Sequence, residues 1–90
     1  MRLSIAFLTY FLVKLVTIDR LLVNSSWVKS IGYDADSLTL EVEFVHGAVF
    51  QYFEVPLEVF IAFQSADSKG AFINQRIRKG RYRYQRLRPL

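Results

Sequence analysis

Cysteine is missing from the chain altogether, which excludes disulfides and thiolate metal sites. Small secreted domains often depend on disulfide staples, so their absence favours the cytoplasm as the location. Acidic residues stop at Asp67, and histidine occurs once, as His46. The glycines stand apart, at positions 32, 47, 70 and 80, so there is no glycine-rich phosphate loop. A general base needs a partner within hydrogen-bond reach, and a metal site needs three or four ligands. His46 falls at an expected hairpin turn among scattered carboxylates and meets neither requirement. Asp34 and Asp36 lack the later ligands of a calcium loop and read as turn formers. Ser25-Ser26 has no base supplied nearby in sequence and reads as a strand start. No catalytic residue, metal or cofactor is therefore assigned, and the chain is expected not to be an enzyme.

What is present is apolar and basic. Ninety residues make one domain at most. A hydrophobic content of 52%, with eight Phe, five Tyr and one Trp, excludes a disordered chain. Charge is distributed unevenly. Residues 1–67 hold four basic and all eight acidic residues, a balance of −4, whereas residues 68–90 hold eight basic residues and no acid, a balance of +8. Such asymmetry points to an acidic partner (nucleic acid, an anionic membrane or an acidic protein surface) or to a solvated basic end that keeps the protein soluble.

Residues 1–19 form an apolar N-terminal extension. Leu3 to Ile18 is nearly all apolar apart from Lys14. Sixteen helical residues rise about 24 Å, short of a bilayer core of about 30 Å. Arg2 before an apolar run has the look of a signal peptide, but no small-x-small cleavage site follows. Three readings fit: a membrane-contacting helix, a helix packed on its own domain, or a leader added by a start codon assigned too far upstream.

From Trp27 the period becomes two. Leu38, Leu40, Val42 and Phe44 alternate with Thr39, Glu41 and Glu43, as in a half-buried strand. Trp27–Tyr33 and Leu38–Phe44 form a hairpin across the turn-forming "DADS". A bulge is expected near Gly32, because Val28 and Ile31 break strict alternation. The next turn fixes which face Phe50 and Tyr52 occupy. A three-residue turn, Val45-His46-Gly47, pairs Phe44 with Ala48 and places Phe50 and Tyr52 on the apolar face, with Gln51 beside the glutamates. A two-residue turn would reverse this. The three-residue turn is preferred, since it also puts Gly47 at the left-handed position.

Pro56 suits a first helical position. The helix after it is apolar nearly all round, so it is buried or meets a partner. Asp67 or Ser68 caps a second helix of about ten residues, with Phe72, Ile73 and Ile77 inward and Gly80 at its end. In "RYRYQRL", Tyr82, Tyr84 and Arg86 alternate with Arg81, Arg83, Gln85 and Leu87, giving a short fourth strand or an extended arm. The expected fold is α+β: a small antiparallel sheet of three strands, or four, packed against two helices, over residues 20–87. Residues 88–90 are set apart as a basic end.

Taken in order, Ser25-Ser26, "IGYD" (31–34), "LTLEVEF" (38–44), Gly47, "VFQYF" (49–53) with Val55-Pro56, "ADSKGAFIN" (66–74), Ile77-Arg78 and Tyr82 resemble the KTSC domain. This small family is named for its occurrence at the C-terminus of some lysyl-tRNA synthetases, and it also occurs as short bacterial and phage proteins. The resemblance implies no established activity and a suggested role in RNA binding. The family's central Tyr-x-Tyr motif falls on Phe50-Gln51-Tyr52, where Phe50 lacks the first hydroxyl. By the register argument Phe50 and Tyr52 read as core rather than site. Stand-alone members begin shortly before the "SS", which makes Met1–Leu15 look like an added leader, with Leu15 or Val16 as an alternative start.

Two functional readings follow. The first is a non-catalytic module binding nucleic acid, RNA or otherwise single-stranded, through Arg76, Arg78, Lys79, Arg81, Arg83 and Arg86, with Tyr82 and Tyr84 stacking on unpaired bases. Against it stands the possibility that both tyrosines merely anchor the strand to the sheet. The second is a protein-interaction module or homodimer using Phe60, Ile61 and the N-terminal segment. Membrane contact enters only if residues 1–18 are genuine.

Overall fold

The computed structural model describes residues 18–88. The expectations for a leader or apolar helix over residues 1–17 lie outside the described residues, and Ile18, Asp19 and Arg20 are not helical. The elements are β1 (Leu21–Leu22), β2 (Val28–Asp34), β3 (Thr39–Phe44), β4 (Val49–Tyr52), α1 (Leu57–Ser65), α2 (Lys69–Phe72) and β5 (Tyr84–Arg88). Helix α2 widens without a break into a π-helical segment, Ile73–Arg78. All neighbouring strands are antiparallel, in the order β1-β2-β3-β4-β5.

The α+β class stands, but among the described residues the sheet has five strands where three or four were expected. The arm is the fourth expected strand, β5. The unforeseen one is β1, whose two leucines pair with Ile31 and Ser30. Both leucines are exposed, so an apolar dipeptide at the end of an apolar run carries no alternation to mark it as a strand.

Core formation follows the period of two. Leu40, Val42 and Phe44 of β3 share one face with Phe50 and Tyr52 of β4, since Leu40 pairs with Tyr52 and Val42 with Phe50. The three-residue turn sets this register: the Phe44 amide donates to Ala48 O at 2.8 Å, the Gly47 amide donates to Phe44 O at 2.9 Å, and Gly47 has φ 103°. The bulge lies at Lys29 rather than near Gly32, because Val28 opposite Phe44 and Ile31 opposite Val42 leave three steps on β2 against two on β3. The helices cover this face. Phe63 of α1 is fully buried and stacks on Phe72 at 5.1 Å. Phe60 stacks on Tyr33 at 4.8 Å, while Leu57 and Ile61 of the same helix stay exposed.

Helix ends differ from expectation in two places. Pro56 precedes α1 as its N-cap, with φ −62° and ψ 149°, because its extended ψ leaves Leu57 as the first helical residue. At the other end Arg81, not Gly80, takes the left-handed conformation, with φ 60°. Gly80 instead serves close approach, since a Cβ there would lie 2.5 Å from Arg76 O and 2.8 Å from the Tyr82 ring. Ser68 caps α2 as expected, its Oγ accepting from the Ala71 amide at 3.1 Å.

The opposite face of the sheet is polar. Gly32, Glu41, Gln51 and Gln85 lie in register across β2 to β5. Gln85 Nε2 donates to Gln51 Oε1 at 2.8 Å, and Gln51 Nε2 donates to Glu41 Oε1 at 2.8 Å. Glu41 is 1% exposed and meets Arg20 Nε at 3.5 Å. Arg20 reaches it because residues 18–20 cross directly over Gly32. Beside this row Ser30 Oγ donates to Glu43 Oε1 at 2.8 Å, and Arg20 and Arg88 approach the same carboxylate at 3.9 and 3.8 Å. That hydrogen bond, followed by the arginines and Lys29, holds Glu43 below the usual carboxylate range.

Candidate functional site

Tyr84 and Arg86 leave β5 on the same face as Phe50 and Tyr52, because Tyr84 pairs with Tyr52 and Arg86 with Phe50. The helical cover stops at Arg78–Gly80, so this end of the apolar face stays open. The result is a cleft of about 530 Å³. Its floor is Phe44, Ala48, Phe50 and Tyr52, with Tyr84 on the edge strand. One wall is the end of the helix and the turn after it, Ile77, Arg78, Arg81 and Tyr82. The other is Trp27 and His46, and Arg86 completes the rim.

The aromatic rings form a connected surface. Phe50 lies 5.8 Å from Phe44, 6.2 Å from Tyr52 and 5.8 Å from Tyr84, centroid to centroid. Phe44 continues the surface to Trp27 at 5.4 Å and to His46, stacked at 5.7 Å. Arg86 holds its guanidinium 5.9 Å over the Phe50 ring, a cation–π contact that keeps the charge inside the cleft mouth. Among the described residues the lining includes three arginines and no carboxylate. It therefore combines ring faces for stacking with positive charge for an anion, and among the described residues no group of His, Cys, Asp or Glu is placed to hold a metal.

The expected binding residues separate into two sets. Arg78, Arg81, Tyr82, Tyr84 and Arg86 line the cleft. Arg76, Lys79 and Arg83 do not: Arg76 lies over the Phe72 ring at 5.2 Å, and Arg83 pairs with Glu54 at 3.3 Å and lies over Phe53 at 5.9 Å. The two tyrosines also differ. Tyr82 is half-buried against the core, whereas Tyr84 is 63% exposed and presents its ring to the cleft. Phe50 and Tyr52 lie on the apolar face, as the register reading has it, and at the same time form part of the cleft floor. Trp27 and His46 escaped the sequence reading, because their place in the wall depends on the β2 bulge and the β3–β4 turn.

Tyr52 carries the chemistry of its position. Burial first, then the neighbouring Tyr84 hydroxyl, raise its pKa above the ordinary tyrosine value, with Arg78 opposing. Tyr33 is raised likewise, by burial and then by Glu58 and Asp34. A tyrosine raised in the folded state favours folding fully below its unfolded value of about 10, and that contribution is lost as pH rises through the folded value. The urea midpoint is therefore expected to fall with increasing pH above about 10, and Tyr52→Phe is expected to flatten the fall. A midpoint equally steep in the variant would show that Tyr52 does not contribute.

Comparison with known proteins places this arrangement. The family model described as "KTSC domain" matches residues 24–84. An uncharacterised protein of Stutzerimonas stutzeri (strain A1501) is 44% identical over 68 residues, covering 76% of this chain and 96% of that protein. A lysine–tRNA ligase of Trichormus variabilis is 38% identical over 64 residues, or 71% of this chain, and the match occupies 11% of the ligase. Among solved structures, a KTSC domain protein of Yersinia pestis superposes with a TM-score of 0.72 at 39% identity, covering 79% of this chain and 99% of that one. The matched segment takes in β2, β3, β4, both helical segments and the first residue of β5, and the chain belongs to the KTSC domain family.

Proposed function

We propose that this domain is a non-catalytic module that binds single-stranded or looped nucleic acid, RNA foremost, in the aromatic cleft. The observation that carries the reading is the joining of a ring-lined floor with Arg78, Arg81 and Arg86 on a rim that has no carboxylate among the described residues. Stacking on exposed rings contributes about 1–3 kcal/mol per base without regard to sequence. The arginines supply the salt-dependent part by displacing counterions from phosphates. Duplexes fit poorly, because their bases are paired and stacked away from any protein ring. RNA is favoured over DNA by the occurrence of this domain within proteins named lysine–tRNA ligase. A cytoplasmic location suits such a ligand.

Fluorescence anisotropy with labelled oligouridylate, a tRNA, single-stranded DNA and duplex DNA tests the reading. The expected order places unpaired RNA first and duplex DNA last. Three phosphate contacts to a single strand give a log–log salt slope of about −2, hence about a 20-fold loss of affinity between 50 and 200 mM salt. Absence of binding to every nucleic acid at 50 mM salt would remove the proposal.

A second reading, docking of a protein or of another copy of the chain on α1, draws on Leu57 and Ile61, which lie one turn apart and are 46% and 52% exposed. Phe60 contributes less to it, being half-buried and stacked on Tyr33. A concentration-independent monomer in sedimentation, together with no co-purifying protein, speaks against this second reading.

A further inference from the structure

We infer that the cleft holds two separate base-stacking positions, and that the second is formed by Trp27 and His46. The inference rests on the proposed nucleic-acid binding and adds a site that the basic C-terminal segment does not contain. Phe44 and Tyr52 are buried, at 5% and 6% exposure, so they support the floor rather than offer a face to a ligand. The accessible rings lie at the two ends. Tyr84 is exposed at one end, beside half-buried Phe50; Trp27, 37% exposed, and the exposed His46 stand at the other.

Phe44 joins the two ends. It contacts Phe50 edge-on at 79°, and both Trp27 and His46 at 5.4 and 5.7 Å. Three ring-to-ring steps of 5.4 to 5.8 Å thus connect Tyr84 to Trp27. With Phe50 and Phe44 lying between them, bases stacked on Tyr84 and on Trp27 are not stacked on one another. A strand occupying both ends must have its bases splayed apart, which only an unpaired segment allows. Arg86, over the Phe50 ring between the ends, is placed to meet the intervening phosphate, and Arg78 and Arg81 meet the backbone along the helical wall. The ligand is thereby narrowed to an unpaired oligonucleotide of a few residues; a mononucleotide fills one position only.

Trp27 is the single tryptophan of the chain, so its fluorescence reports this end of the cleft without substitution. This matters because Trp27 also packs against Gly70, and its removal would disturb the fold. The full chain is titrated with oligouridylates of one, two, four and eight nucleotides, following anisotropy of a labelled strand and quenching of Trp27 in parallel. Affinity is expected to rise steeply between one and four nucleotides and little beyond. Quenching should saturate with the same midpoint as anisotropy for the tetranucleotide and be weak for the mononucleotide. His46→Ala, at an exposed turn position, should weaken tetranucleotide binding about tenfold, with circular dichroism unchanged as the check that the fold survives. Anisotropy binding without quenching, or with full affinity in His46→Ala, overturns the second position and leaves the proposed function standing. No binding by either signal overturns both. Equal competition by heparin and by oligouridylate at matched charge, without quenching by either, shows attraction to a polyanion alone and also overturns it.

Discussion

Gly32→Ala is expected to lower the unfolding free energy by about 2–4 kcal/mol, measured by urea denaturation, an effect large for one methyl group. The added Cβ would overlap the Asp19 carbonyl oxygen and stand 2.9 Å from Ile18 Cγ2 and 3.1 Å from Arg20 Cγ. The nearest obstacle is backbone, so no rotamer change relieves it; residues 18–20 must lift from the sheet. Arg20 leaves with them, and Glu41, 1% exposed, then keeps only the Gln51 amide. Removing one partner of a buried pair costs about 3–5 kcal/mol, because the remaining charge is left uncompensated. Arg20 retains 20% of its side-chain exposure, so water screens part of the loss and the lower range applies. Introducing Glu41→Gln into the Gly32→Ala chain should recover part of the stability, since no charge is then stranded, and the double-mutant cycle isolates that coupling. A change below about 0.5 kcal/mol for Gly32→Ala would mean that the crossing segment contributes nothing to the fold.

The second large effect separates position from charge. Arg78→Glu/Arg81→Glu/Arg86→Glu is expected to weaken oligouridylate binding at least 100-fold at 100 mM salt and to bring the salt slope near zero, since each lost phosphate contact removes about 0.7 from the slope. Arg76→Glu/Lys79→Glu/Arg83→Glu makes the same change in net charge at residues that do not line the cleft. Its expected cost is a few-fold, through the long-range field alone. Equal losses in the two triple variants would identify a diffuse basic surface as the binder and remove the cleft from the account. Circular dichroism of both chains checks that the fold survives, which the exposure of all six side chains leads one to expect.

How much of this could be read from the residues depends on what sets each feature. The β3–β4 register was legible because only one turn length puts Phe50 and Tyr52 on the side of Leu40, Val42 and Phe44. The cap on α2 was legible as Asp67 or Ser68, and Ser68 takes it, since its side chain acts on the backbone three residues away. These are local effects. The cleft is not local: one wall comes from positions 77–82, and the other from Trp27 and His46, and nothing in the spacing announces that they meet. Equally hidden was the division among the basic residues. Alternation along β5 placed Arg86 with Tyr84, but Arg76 and Arg83 are set aside by Phe72, Glu54 and Phe53, partners remote from the arm in sequence or in element. Likewise the left-handed conformation expected of Gly80 falls on Arg81, while Gly80 meets a demand for space set by the Tyr82 ring and Arg76 O.

The glutamine pair on the polar face governs what the opposite face presents. Gln51 gives its amide hydrogens to Glu41 and its oxygen to Gln85, so β5 is indexed against β4 from behind the sheet. A slip of one residue would bring Tyr84 or Arg86 into that row in place of Gln85, taking a ring or a charge away from the cleft, and would turn Gln85 toward it. The bulge between the Val49 and Phe50 pairings completes the indexing, sending Arg86 to the aromatic side and Arg88 to Glu43 on the other. Two neutral side chains that touch no ligand thus act as the notch that decides which residues of an edge strand a ligand can meet.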